Sequence, residues 1–224
     1  LASSAASDVY KRQIIERYIC YCSSLNLNSS RLKDGGFAMD YQLISDSSCD
    51  LEQSLREKYD IEVVPFYISF DEENYQKEVE EIAIDDVYRK MVDFPKQYPK
   101  TSLPSVQNYV DAFTPHAREG RAVICICITT SLSGSYNSAC NAKEIVCEEY
   151  PDAKITVINS LGATVLQGLY VIQAAKLKQS GATYDEAVEK LTSMEYLSTG
   201  RIFFTVGNTC LLYTSDAADE ARSV

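Results

Sequence analysis

"RAVICICIT", residues 121–129, is apolar from Ala122 to Ile128, with valine, isoleucine and cysteine in unbroken succession. A strand with one wet face alternates apolar and polar residues, so an unbroken run marks a strand covered on both faces, as in a parallel sheet. Downstream, "SYNSACNAKEIVCEEY" reads as a helix and "AKITVIN" as the next strand. "ATVLQGLYVIQAAKLKQSG" carries apolar residues at helical spacing and a glycine stop at Gly181. "TYDEAVEKLTSM" adds a helix and "RIFFTV" a strand.

Upstream the alternation continues. "YQLISDSSCDL" is a short strand that turns through Asp46, Ser47 and Ser48, with Asp50 placed to cap a helix over "LEQSLREKY". The β-branched and aromatic content of "IEVVPFYISF" predicts one strand. "AIDDVYRKMVDF" reads as an amphipathic helix, and "KTSLPSVQNYVDAF" as a polar turn feeding a helix capped by Ser105. Strands alternating with helices predict an α/β fold, a parallel sheet with helices on both faces. Such sheets bind ligands beyond the carboxyl ends of their strands. Asp46, Ser133 and Asn159 each fall at such an end and are expected to share one rim.

The two termini need separate treatment. "SSAASDVYKRQ" near the start and "CLLYTSDAADE" near the end can be encoded by one DNA tag and its reverse complement, which resembles a sequencing-library adapter. Residues 1–38 are therefore expected to be adapter-derived and leader residues without order, residues 210–224 an adapter-derived tail, and Met39 the start of the native stretch.

The formal charge of −11 disfavours phosphate backbones and anionic surfaces, so a nucleic-acid role is not expected. No apolar run approaches the roughly 20 residues of a membrane-spanning helix, and no integral membrane segment is expected. Apart from Cys20, Cys22 and Cys210 in the suspect ends, the chain carries Cys49, Cys125, Cys127, Cys140 and Cys147. An odd set without CxxC or paired histidine argues against a disulfide framework and a metal site, and suits a reducing cytoplasm.

After the strand comes "ITTSLSGSYNSA", residues 128–139, with six serine and threonine side chains and no cation. A helix beginning near Ser135 would present unpaired N–H groups to an anion, with Ser133 and Ser135 adding hydroxyl donors. Thr101 and Ser102 precede another helix start and could meet this loop across the crevice. Hydroxyls at such positions also serve merely as local caps and turn formers. GxGxxG and GxxxxGK[ST] are both absent, and "SLSGS" does not match the nucleophile elbow GxSxG. A serine hydrolase needs a base beside its nucleophile, and His116 in "TPHAREG" is expected at the surface. Asp46 ends its strand at the crevice and stays a weaker candidate beside Ser135 and Asn159. No residue is assigned as catalytic.

Taken together, "SDSSCDL" (45–51), "VVPFYISF" (63–70), "PKTSLPS" (99–105), "ITTSLSGSYNSA" (128–139) and "VINSLGATVLQGLYVIQAA" (157–175) resemble the DegV family of bacterial fatty-acid-binding proteins. The resemblance implies a DegV-type α/β domain over residues 39–162 and the truncated start of a second α/β, lipid-binding domain over residues 163–209. It implies that a fatty-acid carboxylate is held by hydroxyls and backbone amides at Thr101, Ser102, Ser133 and Gly134, with the acyl chain in a tunnel between domains. It further implies a cytoplasmic carrier with no cofactor beyond the bound acid, and a separate ATP-using fatty acid kinase subunit as partner, making an acyl phosphate for phospholipid synthesis. Transient membrane contact is compatible with that role. Asn159 departs from the family's usual aspartate, and the family's C-terminal histidine falls beyond the chain. The competing expectations are an enzyme acting directly on an acyl or phosphate ester at the same crevice, and a purely structural α/β module.

Overall fold

The computed structural model describes residues 41–197 except residues 72, 95 and 96. The stretches expected to be adapter and leader (residues 1–38) and adapter-derived tail (residues 210–224), the expected start at Met39 and the strand expected over "RIFFTV" lie outside the described residues.

Four parallel strands form the main sheet: β1 (Tyr41–Asp46), β2 (Ile61–Val64), β6 (Ala122–Cys127) and β7 (Ile155–Asn159), in the order β2-β1-β6-β7. All six residues of β6 are buried, as the unbroken apolar run requires. Alternate side chains of each strand leave on opposite faces. Leu43, Ile124 and Ile126 pack with α1 (Gln53–Tyr59), α5 (Val165–Gln179) and α6 (Tyr184–Leu197). Ile44, Val123, Cys125 and Cys127 pack with α3 (Val106–Arg118) and α4 (Ser135–Glu149) on the other face. Each fully buried valine or isoleucine contributes roughly 1.5–3 kcal/mol, so the two faces together carry most of the core. α5 and α6, in the stretch assigned from sequence to a second domain, rest on this same sheet.

Several local expectations hold with a reason visible in the bonding. Ser105 caps α3 in a reciprocal capping box with Asn108. Gly181, with φ +81°, ends α5 as its N–H and that of Ala182 return to the carbonyls of Lys178 and Leu177. The amphipathic helix is α2 (Ile84–Asp93).

Other expectations are corrected. "IEVVPFYISF" is two strands, because Pro65 has no N–H for a ladder and the Phe66 N–H donates to Ser47 Oγ instead, 2.9 Å away. Past that break, β3 (Tyr67–Ser69) joins a small antiparallel sheet with β4 (Gln76–Lys77) and β5 (Lys100–Ser102), in the order β4-β3-β5. The polar turn expected at "KTS" is thus an edge strand. Asp50 does not cap α1. It closes a turn of 3-10 helix over Ser47–Cys49 with φ +50°, and α1 begins only at Gln53, because Leu51 is drawn into the core. His116 is 7 % exposed rather than at the surface, since α3 runs on through Pro115 to Arg118 and carries the ring against Glu62.

Candidate functional site

The strand order reverses between β1 and β6: one crossover leaves β1 toward β2, and the next runs from β6 to β7 on the opposite side. A crevice opens beyond the strand ends at such a point. Asp46 is the last residue of β1, and Ile128 follows the end of β6. A carboxylate there stitches the two strand ends, since the Ile128 N–H donates to Asp46 Oδ2 at 3.0 Å.

Asp46 is fully buried, and both oxygens of its carboxylate accept hydrogen bonds. Oδ2 also accepts from the Ser135 hydroxyl at 2.8 Å, and Oδ1 from Gln167 Nε2 at 2.8 Å and from the Ser48 hydroxyl. The Ser48 hydroxyl also lies 2.8 Å from Gln167 Oε1 and shares its one proton between the two acceptors, so both carboxylate oxygens are turned to protein donors. Gln167 Nε2 also reaches Ser45 Oγ at 3.1 Å, and Ser45 in turn donates to the Ile126 carbonyl at 2.8 Å. The burial of so many polar atoms is tolerated because each is bonded.

Ser135, the first residue of α4, is likewise buried. Its proton goes to Asp46, so the Tyr109 phenol, 2.6 Å away, is the donor in the contact between the two oxygens. Burial pushes the Tyr109 phenol well above its ordinary range, which keeps that donor protonated. Tyr109 lies in the first turns of α3, so the starts of α3 and α4 are joined through one hydroxyl.

The other nominated residues lie on the segments leading into those helix starts. Ser133 Oγ accepts the Ser135 N–H at 3.2 Å, the local turn bond that its residue type allows, and a hydroxyl that accepts one N–H keeps its proton to give. Gly134 is the N-cap of α4, and Leu103 of the "TSLPS" segment comes so near that its Cδ2 would be 3.5 Å from a Cβ placed on Gly134. The two hydroxyl segments are therefore neighbours. Thr101 and Ser102 are exposed on β5, opposite Ile68 and Tyr67 respectively. Successive strand residues point to opposite faces, so their side chains do not aim together. Asn159 braces the loop, accepting the Leu161 N–H at 3.0 Å and donating to Thr130 Oγ1 at 3.2 Å. Leu161 and Thr164, both with positive φ, hold a strained turn at this same rim.

Among the participants that escaped the sequence reading are Gln167, Tyr109, Ser47 and Glu78. Gln167 had a signal, a lone amide in the apolar run "TVLQGLYVI". The other three gave none. The Ser47 hydroxyl donates to Glu78 Oε2, tying the loop after β4 to the end of β1, and burial raises the Glu78 carboxyl above its usual range. Elsewhere a cleft of about 430 Å³ is lined by Gln53, Arg56, Glu57, Asp60, Glu62 and Glu80, none of them a nominated residue. Among the described residues no group of three or more His, Cys, Asp or Glu side chains could hold a metal ion, and no helix is long and apolar enough to cross a membrane.

Residues 40–213 match the family model described as DegV. A DegV domain-containing protein of Clostridium perfringens is 36% identical over 155 residues, covering 69% of this chain and 53% of that protein. A solved stearic-acid-binding protein from Eubacterium ventriosum is 47% identical with a TM-score of 0.66, covering 68% of this chain and 52% of the other. A DegV family protein from Ruminococcus gnavus, solved with vaccenic acid, is 27% identical with a TM-score of 0.61, covering 70% and 55%. The chain spans about half the length of the relatives it matches.

Proposed function

Because the chain belongs to the DegV family, we propose that it binds a long-chain fatty acid and presents it to a separate ATP-dependent kinase subunit. In this reading Thr101, Ser102, Ser133 and Gly134 hold the carboxylate through hydroxyls and backbone N–H groups. The observation that supports it most directly is the close approach of Leu103 to Gly134, which makes neighbours of two hydroxyl segments at the sheet's switch point. The acids bound by the relatives, stearic and vaccenic, belong to the same ligand class.

The energetics divide the work between tail and head. Burying about fourteen methylenes at about 0.8 kcal/mol each gives on the order of 11 kcal/mol before association costs. A hydrogen bond to a charged group contributes roughly 1.5–3 kcal/mol, so a few neutral donors hold the head without a cation. The tail supplies affinity and the hydroxyls supply position. A neutral clamp also leaves a carboxylate oxygen nucleophilic. On the kinase it attacks the terminal phosphorus of ATP, the bond to the bridging oxygen breaks, and ADP leaves with the acyl phosphate formed.

A direct esterase is the competing reading. The one histidine in this sequence that could serve as its base is His116, and that ring sits near the far end of α3 from Ser105, eleven residues on and so roughly 16 Å along the axis. Mass spectrometry of an organic extract of the purified chain tests both. A co-purified long-chain acid is the expected result; hydrolysis of an acyl ester without ATP or a partner would favour the esterase, and an extract free of lipid would refute the carrier.

A further inference from the structure

We infer that Asp46 is the positioning residue of the head-group site, setting the two hydroxyl segments against one another without touching the ligand. The inference rests on the carrier reading above. Three observations carry it. The carboxylate is buried and ringed by protein donors, the Ile128 N–H, Ser135 and Gln167, with the Ser48 hydroxyl shared between it and Gln167 Oε1, so its oxygens face the protein rather than an incoming group. Two of those bonds lie on either side of the hydroxyl loop: Ile128 where the loop leaves β6, and Ser135 where it enters α4. A third link passes through Ser135 to the Tyr109 phenol, and so to the helix that the "TSLPS" segment enters.

One buried carboxylate thus fixes both ends of one segment and the downstream anchor of the other. Charged acceptors make the stronger hydrogen bonds, and a single well-bonded carboxylate imposes an orientation on every donor around it. Ser135 then acts as a relay, its proton directed to Asp46 and its lone pair to Tyr109. The geometry of the head-group site is set from behind, by groups that a bound acid would never meet.

The test compares stearate with octadecanol, which shares the tail and lacks the carboxylate, in equilibrium binding to the full chain. Asp46→Asn, Ser135→Ala and Tyr109→Phe are each expected to lower stearate affinity by about tenfold or more, the scale of one charged hydrogen bond, while octadecanol affinity stays within about twofold. Equal losses for both ligands would mean a merely structural role and overturn the inference, as would unchanged stearate binding. Should Asp46→Asn fail to fold, Ser135→Ala and Tyr109→Phe carry the same comparison, since each removes one hydroxyl and adds no charge. A wild-type chain that binds neither ligand would instead refute the carrier reading on which the inference stands.

Discussion

Gly168 of α5 lies against the carbonyl of Cys49, so close that a Cβ on the glycine would stand 2.5 Å from that oxygen. This contact seats α5 on the 3-10 turn after β1 and brings its neighbour Gln167 within reach of Asp46. Alanine is the better helix former by about 1 kcal/mol, but the opposing atom is backbone and cannot swing aside. Gly168→Ala is therefore expected to lose about 1–3 kcal/mol, read as a lower urea midpoint with an unchanged m-value. Gly181→Ala is the control: its Cβ would meet nothing within 4 Å, but φ +81° makes it cost roughly 1–2 kcal/mol through backbone strain alone.

Glu78 makes stability depend on pH with a defined sign. Burial is the largest cause of its raised pKa, opposed by the hydrogen bond from Ser47. The folded state therefore binds the proton more tightly than the unfolded state, whose glutamate titrates near 4.5. Stability is fully present below that value and falls as pH rises through the raised folded pKa. Glu78→Gln keeps an acceptor for the Ser47 hydroxyl and removes the charge. It should flatten this slope, so that urea midpoints of variant and wild type agree near about pH 4 and the variant is the higher near about pH 7. A wild-type slope that survives the substitution would contradict the assignment.

The buried thiols should be inert in the native state. Burial pushes Cys49 up to about 12 and raises Cys125, which lies with its sulfur 3.7 Å from that of Cys127. The thiolate is the reactive form, so alkylation at about pH 8 is expected to reach the partly exposed Cys140 and Cys147 before Cys49, Cys125 or Cys127. Peptide mapping with and without denaturant checks the order.

Legibility followed the range of the interactions. The run at Ala122–Cys127 announced a doubly covered strand because burial on both faces leaves no polar position, and Ser105 and Gly181 announced helix ends because caps are local. The small antiparallel sheet was hidden, since strands of two or three polar residues carry no period to read. Asp46 could be placed at the rim from sequence, but not its hydrogen bonding, which depends on Ile128, Ser135 and Gln167 lying 82, 89 and 121 residues away in the chain. His116 was misjudged for the same reason: its polar neighbours in "TPHAREG" say nothing of Glu62 across the fold.

The nominated head-group contacts can be ranked by what each hydroxyl already does. Ser133 Oγ accepts the first N–H of α4, so Ser133→Ala removes both a donor to the ligand and a local turn hydrogen bond. Stearate affinity is expected to fall by about 10- to 150-fold from one lost charged hydrogen bond, and stability by about 1 kcal/mol from the lost hydrogen bond to the Ser135 N–H. Thr101 and Ser102 cap no helix, and they stand on opposite faces of an edge strand. Thr101→Val and Ser102→Ala should therefore leave stability nearly unchanged and weaken stearate unequally, because only one of the two faces can look into the crevice. Isothermal titration alongside urea unfolding separates the two quantities. Equal and small effects of Thr101→Val and Ser102→Ala on binding would place the head group elsewhere.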